Sequence, residues 1–248
     1  MKEIPVKLFR RYKLFVNRLK YTRIFWKFQP FTMLSPHSYI RNLCLVERFR
    51  HIDGIVVECG VWKGGTIAGI AELLGAEREY YLFDSFAGIP APQEIDGQAA
   101  LQWQQDKDSP HYHDNCRVSE DVACEAMARA GAKHFHTMKG FFEETLPQFC
   151  PQKPIAILRL DADWYDSTML CLQYLYPYIA EGGVIILDDY YTFDGCARAV
   201  HDFLSARSLT ERVHQFEHDV CFLVKRSPVE PVEPLNSIPG TFKKLERS

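Results

Sequence analysis

Apolar residues recur along this chain in two alternating rhythms. Short unbroken runs suit strands buried on both faces, and stripes at three- and four-residue spacing suit helices. The runs predict strands at residues 55–58, 80–83, 135–139, 155–160, 184–187, 212–216 and 220–224, and the stripes predict helices at 66–74, 119–130, 167–178 and 196–206. Ahead of them, Ser35 followed by Pro36 reads as an N-cap and first turn. Tyr39, Ile40, Leu43, Val46 and Phe49 then carry a helical stripe toward Gly54. Strands that alternate with helices predict a doubly wound α/β core of Rossmann-like type: seven strands, mostly parallel, closed by an antiparallel C-terminal hairpin.

The pattern breaks in three places. Residues 85–117 exceed the usual loop between a strand and a helix, so they are read as a lid rather than as a disordered insertion. They carry Trp103, several glutamines, and His111, Tyr112, His113 and Asp114. Two close histidines with no further ligand at matching spacing are read as loop histidines, not a metal site. The tail from 228 to 248, with Pro231, Pro234 and Pro239, has little to bury. The expected organisation is a helical extension over 1–50, a core over 51–227 and a proline-rich tail.

At 248 residues the chain has room for one such core plus an appendage. Its eight cysteines include no C-x-x-C pair, which reads as reduced thiols and a cytoplasmic setting. No apolar run approaches the roughly 18 residues of a spanning helix, and the N-terminus lacks a secretory pattern. The net charge of −3 hides an asymmetry, because Lys2, Lys7, Arg10, Arg11, Lys13, Arg18, Lys20, Arg23 and Lys27 face only Glu3 in the first segment. From Leu8, the residues Tyr12, Phe15, Val16 and Leu19 make that segment a basic amphipathic helix. Packing on the acidic core or on a sister subunit in a homo-oligomer is the favoured reading, and peripheral contact with an anionic membrane is the alternative. With the basic residues confined to one end and no recognisable nucleic-acid motif, nucleic acid is not expected as a partner.

Doubly wound sheets bind ligands at the carboxyl ends of their strands, so the residues that end strands carry the candidate chemistry. The first run ends in Glu58-Cys59-Gly60-Val61-Trp62-Lys63-Gly64-Gly65-Thr66. Gly60 allows a sharp turn, and Gly64 and Gly65 allow a ligand to approach the backbone. The spacing departs from the G-x-G-x-x-G dinucleotide fingerprint, and an acid closes the strand two positions before the first glycine. A pyrophosphate would be repelled by Glu58, whereas the ammonium or sulfonium of S-adenosylmethionine would not. Asp84, followed by Ser85, ends the second run, where a carboxylate can accept the hydroxyls of an adenosine ribose.

The fourth run ends in Leu158-Arg159-Leu160-Asp161-Ala162-Asp163-Trp164-Tyr165-Asp166-Ser167-Thr168, and the fifth in Ile186-Leu187-Asp188-Asp189-Tyr190. Neighbouring strands lie about 4.8 Å apart, so Asp161, Asp188 and Asp189 would converge and repel unless a cation joined them. Hard carboxylate oxygens suit Mg2+, with Mn2+ or Ca2+ as alternatives. Asp166 and Ser167 are read as caps of the following helix.

With these residues in place, the chain resembles the TylF/MycF-type macrocin O-methyltransferases, which include enzymes that methylate sugar hydroxyls. The resemblance lies in Val57 to Gly65, in Phe83-Asp84-Ser85-Phe86-Ala87-Gly88-Ile89-Pro90, and in Lys139-Gly140-Phe141-Phe142-Glu143-Glu144-Thr145-Leu146-Pro147. It continues through Leu158 to Thr168 and through Gly182 to Tyr190, and spans roughly residues 40 to 225. It implies a class I methyltransferase fold, S-adenosylmethionine and magnesium. Asp161, Asp188 and Asp189 would be the metal ligands and Asp163 the general base, with His214 and His218 as reserve bases. Glu58, Cys59, Gly60, Gly64, Thr66, Asp84, Ser85 and Gly140 would line the cofactor site. The acceptor would be a glycan or small-molecule hydroxyl; a catechol-type acceptor, a non-catalytic cofactor-binding partner protein and a nicotinamide dehydrogenase are the competing readings. The first helix, residues 92–117 and the tail do not match, and substrate choice is expected there.

Overall fold

Alternating side-chain direction along strands buried on both faces, not the identity of any one residue, sets the layers of this protein. The computed structural model describes residues 19–109 and 112–226. Most of the basic stripe beginning at Leu8, His111, and the tail from 228 lie outside the described residues. In chain order the structure contains α1 (residues 19–28), α2 (Pro36–Arg48), β1 (Ile55–Cys59), α3 (Gly65–Leu74), β2 (Glu79–Asp84) and α4 (Gly97–Gln105). These are followed by α5 (Glu120–Ala130), β3 (His134–Lys139), α6 (Phe142–Thr145), β4 (Ile155–Leu160) and α7 (Tyr165–Leu175). The last elements are β5 (Ile179–Leu187), α8 (Asp194–Ala206), β6 (His214–Phe216) and β7 (Val220–Val224).

The seven strands form one sheet in the order β3-β2-β1-β4-β5-β7-β6. The first five are parallel, and β7 runs antiparallel to both β5 and β6. Side chains of one strand point to opposite faces in turn. Val56, Ile157, Val184 and Ile186 therefore join one core cluster, with Tyr39, Leu43, Ile67, Ile70 and Met127 from α2, α3 and α5. Val57, Leu158, Ile185 and Leu187 join the other, with Cys171, Leu172, Val200 and Phe203 from α7 and α8. Tyr21, Ile24, Phe25 and Phe28 of α1 extend the first cluster, so the described part of the N-terminal segment packs on the core. No helix among the described residues is long and apolar enough to cross a membrane.

Several boundaries shift for identifiable reasons. Ser35 accepts from the Ser38 N–H at 3.2 Å with Pro36 next to it, as the sequence predicts. The seventh helix ends at Leu175, and Tyr176–Tyr178 tighten into a 3-10 turn around Pro177, which has no N–H to continue the ladder. β5 starts at Ile179 rather than 184, because Gly182 and Gly183 exchange backbone hydrogen bonds with Lys225 instead of forming a loop.

The 85–117 stretch is not one irregular segment. It contains α4, preceded by a 3-10 turn at Glu94–Asp96. Buried Asp96 ties it down, accepting from the Gln93 and Tyr165 N–H groups at 2.7 Å each. Trp164 Nε1 donates to the Pro90 carbonyl at 2.8 Å, and its ring packs on Phe193 at 4.9 Å. The insertion is thus docked on the amino ends of α7 and α8.

Candidate active site

The strand order reverses direction between β1 and β4, which opens a crevice at their carboxyl ends. Gly60 leaves β1 there with φ of 81°, and a Cβ at this position would stand 1.8 Å from the Asp161 carbonyl oxygen. Only glycine permits this close crossing of two strand ends.

Two adjoining cavities occupy the crevice and share Gly60, Asp84, Ile89, Cys116, Asp161 and Asp163. The smaller, about 70 Å³, adds Ser85, Gly140, Phe141, Phe142 and Glu143 to its walls. The larger, about 310 Å³, reaches from Glu58, Trp62 and Thr66 to Asp188, Asp189 and Thr192. Residues of the N-terminal segment, Phe31 to Leu34, and Trp103 of α4 wall it in. Its size falls at the low end for small-molecule sites.

Asp84 accepts from the Phe86 N–H at 2.6 Å and the Trp62 N–H at 2.8 Å, which fixes its carboxylate between the two cavities. Burial raises its pKa, and these backbone donors oppose the rise. Ser85 donates to the Gly88 carbonyl at 2.8 Å and shapes the turn into the insertion.

Arg159, which sequence reasoning assigned no role, organises the acidic end. Its side chain is 1% exposed. Nη1 lies 2.5 Å from Glu58 Oε1 and 2.9 Å from Asp161 Oδ2, and Nη2 lies 2.7 Å from Asp188 Oδ1. The signal for it was an arginine inside an apolar strand, which has to be paired if it is buried. Burial pushes Glu58 up to about 7 against the pull of Arg159, and Asp161 up to about 6 against the same pull.

Asp161, Asp163 and Asp189 each present a carboxylate oxygen within 4.8 Å of the others. Asp163 sits at φ of 57°, a left-handed conformation that aspartate tolerates, and its N–H donates to Asp189 Oδ2 at 3.0 Å. Burial first, and then neighbouring carboxylates, hold Asp163 and Asp189 well above the usual carboxylate range. Asp188, expected among the converging acids, lines the same cavity but leans one oxygen on Arg159 and stands outside this group. The larger cavity is lined by six carboxylates and by no lysine, arginine or histidine among the described residues. All-oxygen donors with such a charge excess fit a hard divalent cation.

Some expected residues lie elsewhere. The Cys59 side chain points into the second core cluster beside Cys171, because it alternates with Glu58 along β1. Gly64 faces α5, where a Cβ would meet Ala123 at 3.1 Å, so its role is close helix packing. His214 stacks on Phe222 at the sheet edge, and neither it nor His218 lines either cavity.

A seven-stranded Rossmann-like sheet with acids at the ends of β1, β2, β4 and β5 is the architecture of class I methyltransferases. Residues 39–225 match the family model described as Macrocin-O-methyltransferase (TylF), and the chain belongs to that family. It is 31% identical over 176 residues to the demethyldecarbamoylnovobiocin O-methyltransferase of Streptomyces niveus, a match covering 68% of this chain and 65% of that one. It is 29% identical over 177 residues to the 8-demethyl-8-(2,3-dimethoxy-alpha-L-rhamnosyl)-tetracenomycin-C 4'-O-methyltransferase of Streptomyces olivaceus, covering 67% and 64%. Among solved structures, the O-methyltransferase NovP superposes with a TM-score of 0.66 at 25% identity, covering 79% of this chain and 83% of that one. The matched region spans just under two thirds of the length of the two curated relatives.

Proposed function

We propose that this protein is an S-adenosylmethionine-dependent O-methyltransferase that acts, with a divalent cation, on a sugar hydroxyl of a glycan or glycosylated metabolite. The observation that carries the reading is that the two cavities share Asp84 and Asp161, so the carboxylate expected to take ribose hydroxyls and the convergent acids face one continuous crevice. Family membership and relatives named for O-methylation of glycosides support the same class of reaction.

When bound, S-adenosylmethionine supplies a sulfonium methyl for in-line displacement, and the cation supplies charge that orients and acidifies an acceptor hydroxyl. Asp84 would receive the ribose hydroxyls, with Gly140 and Phe141 beside the base. Asp161, Asp188 and Asp189 would hold the cation, Asp188 through the oxygen that Arg159 leaves free. Asp163, ionised beside the bound cation, would take the acceptor proton on a carboxylate oxygen as the methyl passes from sulfur to the acceptor oxygen. The 4.8 Å grouping favours a second arrangement, in which Asp163 is a cation ligand in place of Asp188. The roof of Trp103 and the wall of Phe31 to Leu34 would exclude water and select the acceptor.

The test is an incubation with S-adenosylmethionine, Mg2+ and a panel of glycosides and catechols, read by mass spectrometry. Methyl gain on a sugar hydroxyl is expected. Gain confined to catechols would reassign the acceptor.

A further inference from the structure

Three of the five large apolar side chains that stand exposed among the described residues fall between residues 19 and 33: Leu19, Trp26 and Met33, at 56%, 65% and 46%. Leu19 and Trp26 belong to α1, whose other face is committed to the core through Tyr21, Ile24, Phe25 and Phe28. Positions 19, 23 and 26 follow at four- and three-residue spacing, so Leu19, exposed Arg23 and Trp26 share one outward stripe. Packing of α1 on the core explains the buried stripe and leaves this second one without a partner.

The charge around the stripe names the kind of partner. Between Glu3 and Glu47 the chain holds nine lysines and arginines and no aspartate or glutamate, although its net charge is −3. The remainder is therefore acidic, and the positive charge is gathered at one end of the chain. Within α1, Lys20 and Lys27 each meet an acid of the core, Glu47 and Glu72, and these exposed pairs are of the weak kind. A two-fold contact of the stripe with its own copy would set like charges against each other. An anionic bilayer satisfies both features: an indole suits the headgroup level, and basic residues are drawn to its negative surface potential.

We infer that the stripe of Leu19, Arg23 and Trp26 docks this protein on an anionic lipid surface. The acidic remainder orients the approach, because only the basic end is attracted. The chain runs from α1 through the 3-10 turn at Gln29–Phe31 into Thr32, Met33 and Leu34, which wall the larger cavity. Exposed Met33 stands at its rim. The docked stripe and the rim of the crevice thus belong to one short stretch of chain.

Co-sedimentation of the full chain with vesicles of phosphatidylcholine, alone or mixed with phosphatidylserine, tests this at low and raised salt. Binding to the mixed vesicles only, weakening as salt is added, is expected. Trp26→Ser and Arg23→Glu, both at exposed positions, are each expected to bind them about tenfold or more weakly. With brominated acyl chains in the mixed vesicles, indole fluorescence should be quenched in wild type, and that quenching should be lost in Trp26→Phe. Binding to neither vesicle, equal binding to both, or full binding by both variants overturns the assignment. Quenching that persists undiminished in Trp26→Phe places the contact on another surface and overturns it too. A wild-type dimer that Trp26→Ser dissociates, with no vesicle binding, would give the stripe to a second copy instead.

Discussion

Arg159 Nη1 lies 2.5 Å from Glu58 Oε1, and both residues are 1% exposed. The same guanidinium reaches Asp161 and Asp188, so one internal cation joins the cofactor end of the crevice to its acidic end. Removing one partner of a buried ion pair costs about 3–5 kcal/mol, because the charges left behind stay buried. Arg159→Met is expected to lose stability on that scale in urea unfolding. Arg159→Lys, which keeps the charge but not the fork, should lose less. A stable Arg159→Met protein would contradict this role.

The acids make stability depend on pH in a direction opposite to ordinary salt-bridged carboxylates. In the cation-free protein burial pushes Asp161 up to about 6 and holds Asp163 and Asp189 well above the usual carboxylate range. Unfolded aspartates titrate near 4. Between the two values the folded state binds more protons, so this contribution is present below about pH 4 and is lost as pH rises through the folded values. Carboxylates with lowered pKa, such as Glu79 and Asp219, act below that window. Cation-free protein is therefore expected to unfold at lower urea at pH 7 than at pH 5, and Mg2+ should recover the stability lost at pH 7. Asp163→Asn should raise the cation-free Tm at pH 7 by about 2–4 °C for each kcal/mol of repulsion removed. A Tm lowered by that substitution would refute the electrostatic account.

Manganese binding followed by electron paramagnetic resonance separates the two ligand arrangements. Asp161→Asn and Asp189→Asn should abolish tight binding in either case. Asp188→Asn is expected to weaken binding about tenfold or more, and Asp163→Asn to leave it while abolishing turnover. The reverse pattern assigns Asp163 to the cation.

Asp96→Ala removes the buried acceptor that ties the insertion to the start of α7. Two backbone donors lose their partner, at about 1–3 kcal/mol each. Faster proteolysis within residues 93–117, with the core intact, is the expected result. An unchanged cleavage rate would mean that Trp164 and Phe193 hold the insertion alone.

The sheet was legible because its strands are short apolar runs bounded by glycine or acid, and the acids that end β1, β2, β4 and β5 fell where a doubly wound fold places ligands. Elements whose signal is weaker than their packing were harder to read. α4 is short and rich in glutamine, so its few apolar residues, Ala100 and Trp103 among them, did not announce a period. The first half of β5 was hidden by Gly182 and Gly183, whose strand conformation depends on pairing with Lys225. Arg159 sat in plain view within the fourth strand, but which acids it would bind is decided by neighbouring strands. The histidines of the last hairpin illustrate the converse, since sequence proximity to the core says nothing about which sheet edge a residue occupies.

The most direct measurement is a calorimetric titration of the purified protein with S-adenosylhomocysteine and, separately, with NAD. Saturable one-to-one binding of S-adenosylhomocysteine, weakened in Asp84→Ala, and no binding of NAD is the predicted result. Binding of NAD without S-adenosylhomocysteine would contradict the assignment of this crevice to methyl transfer.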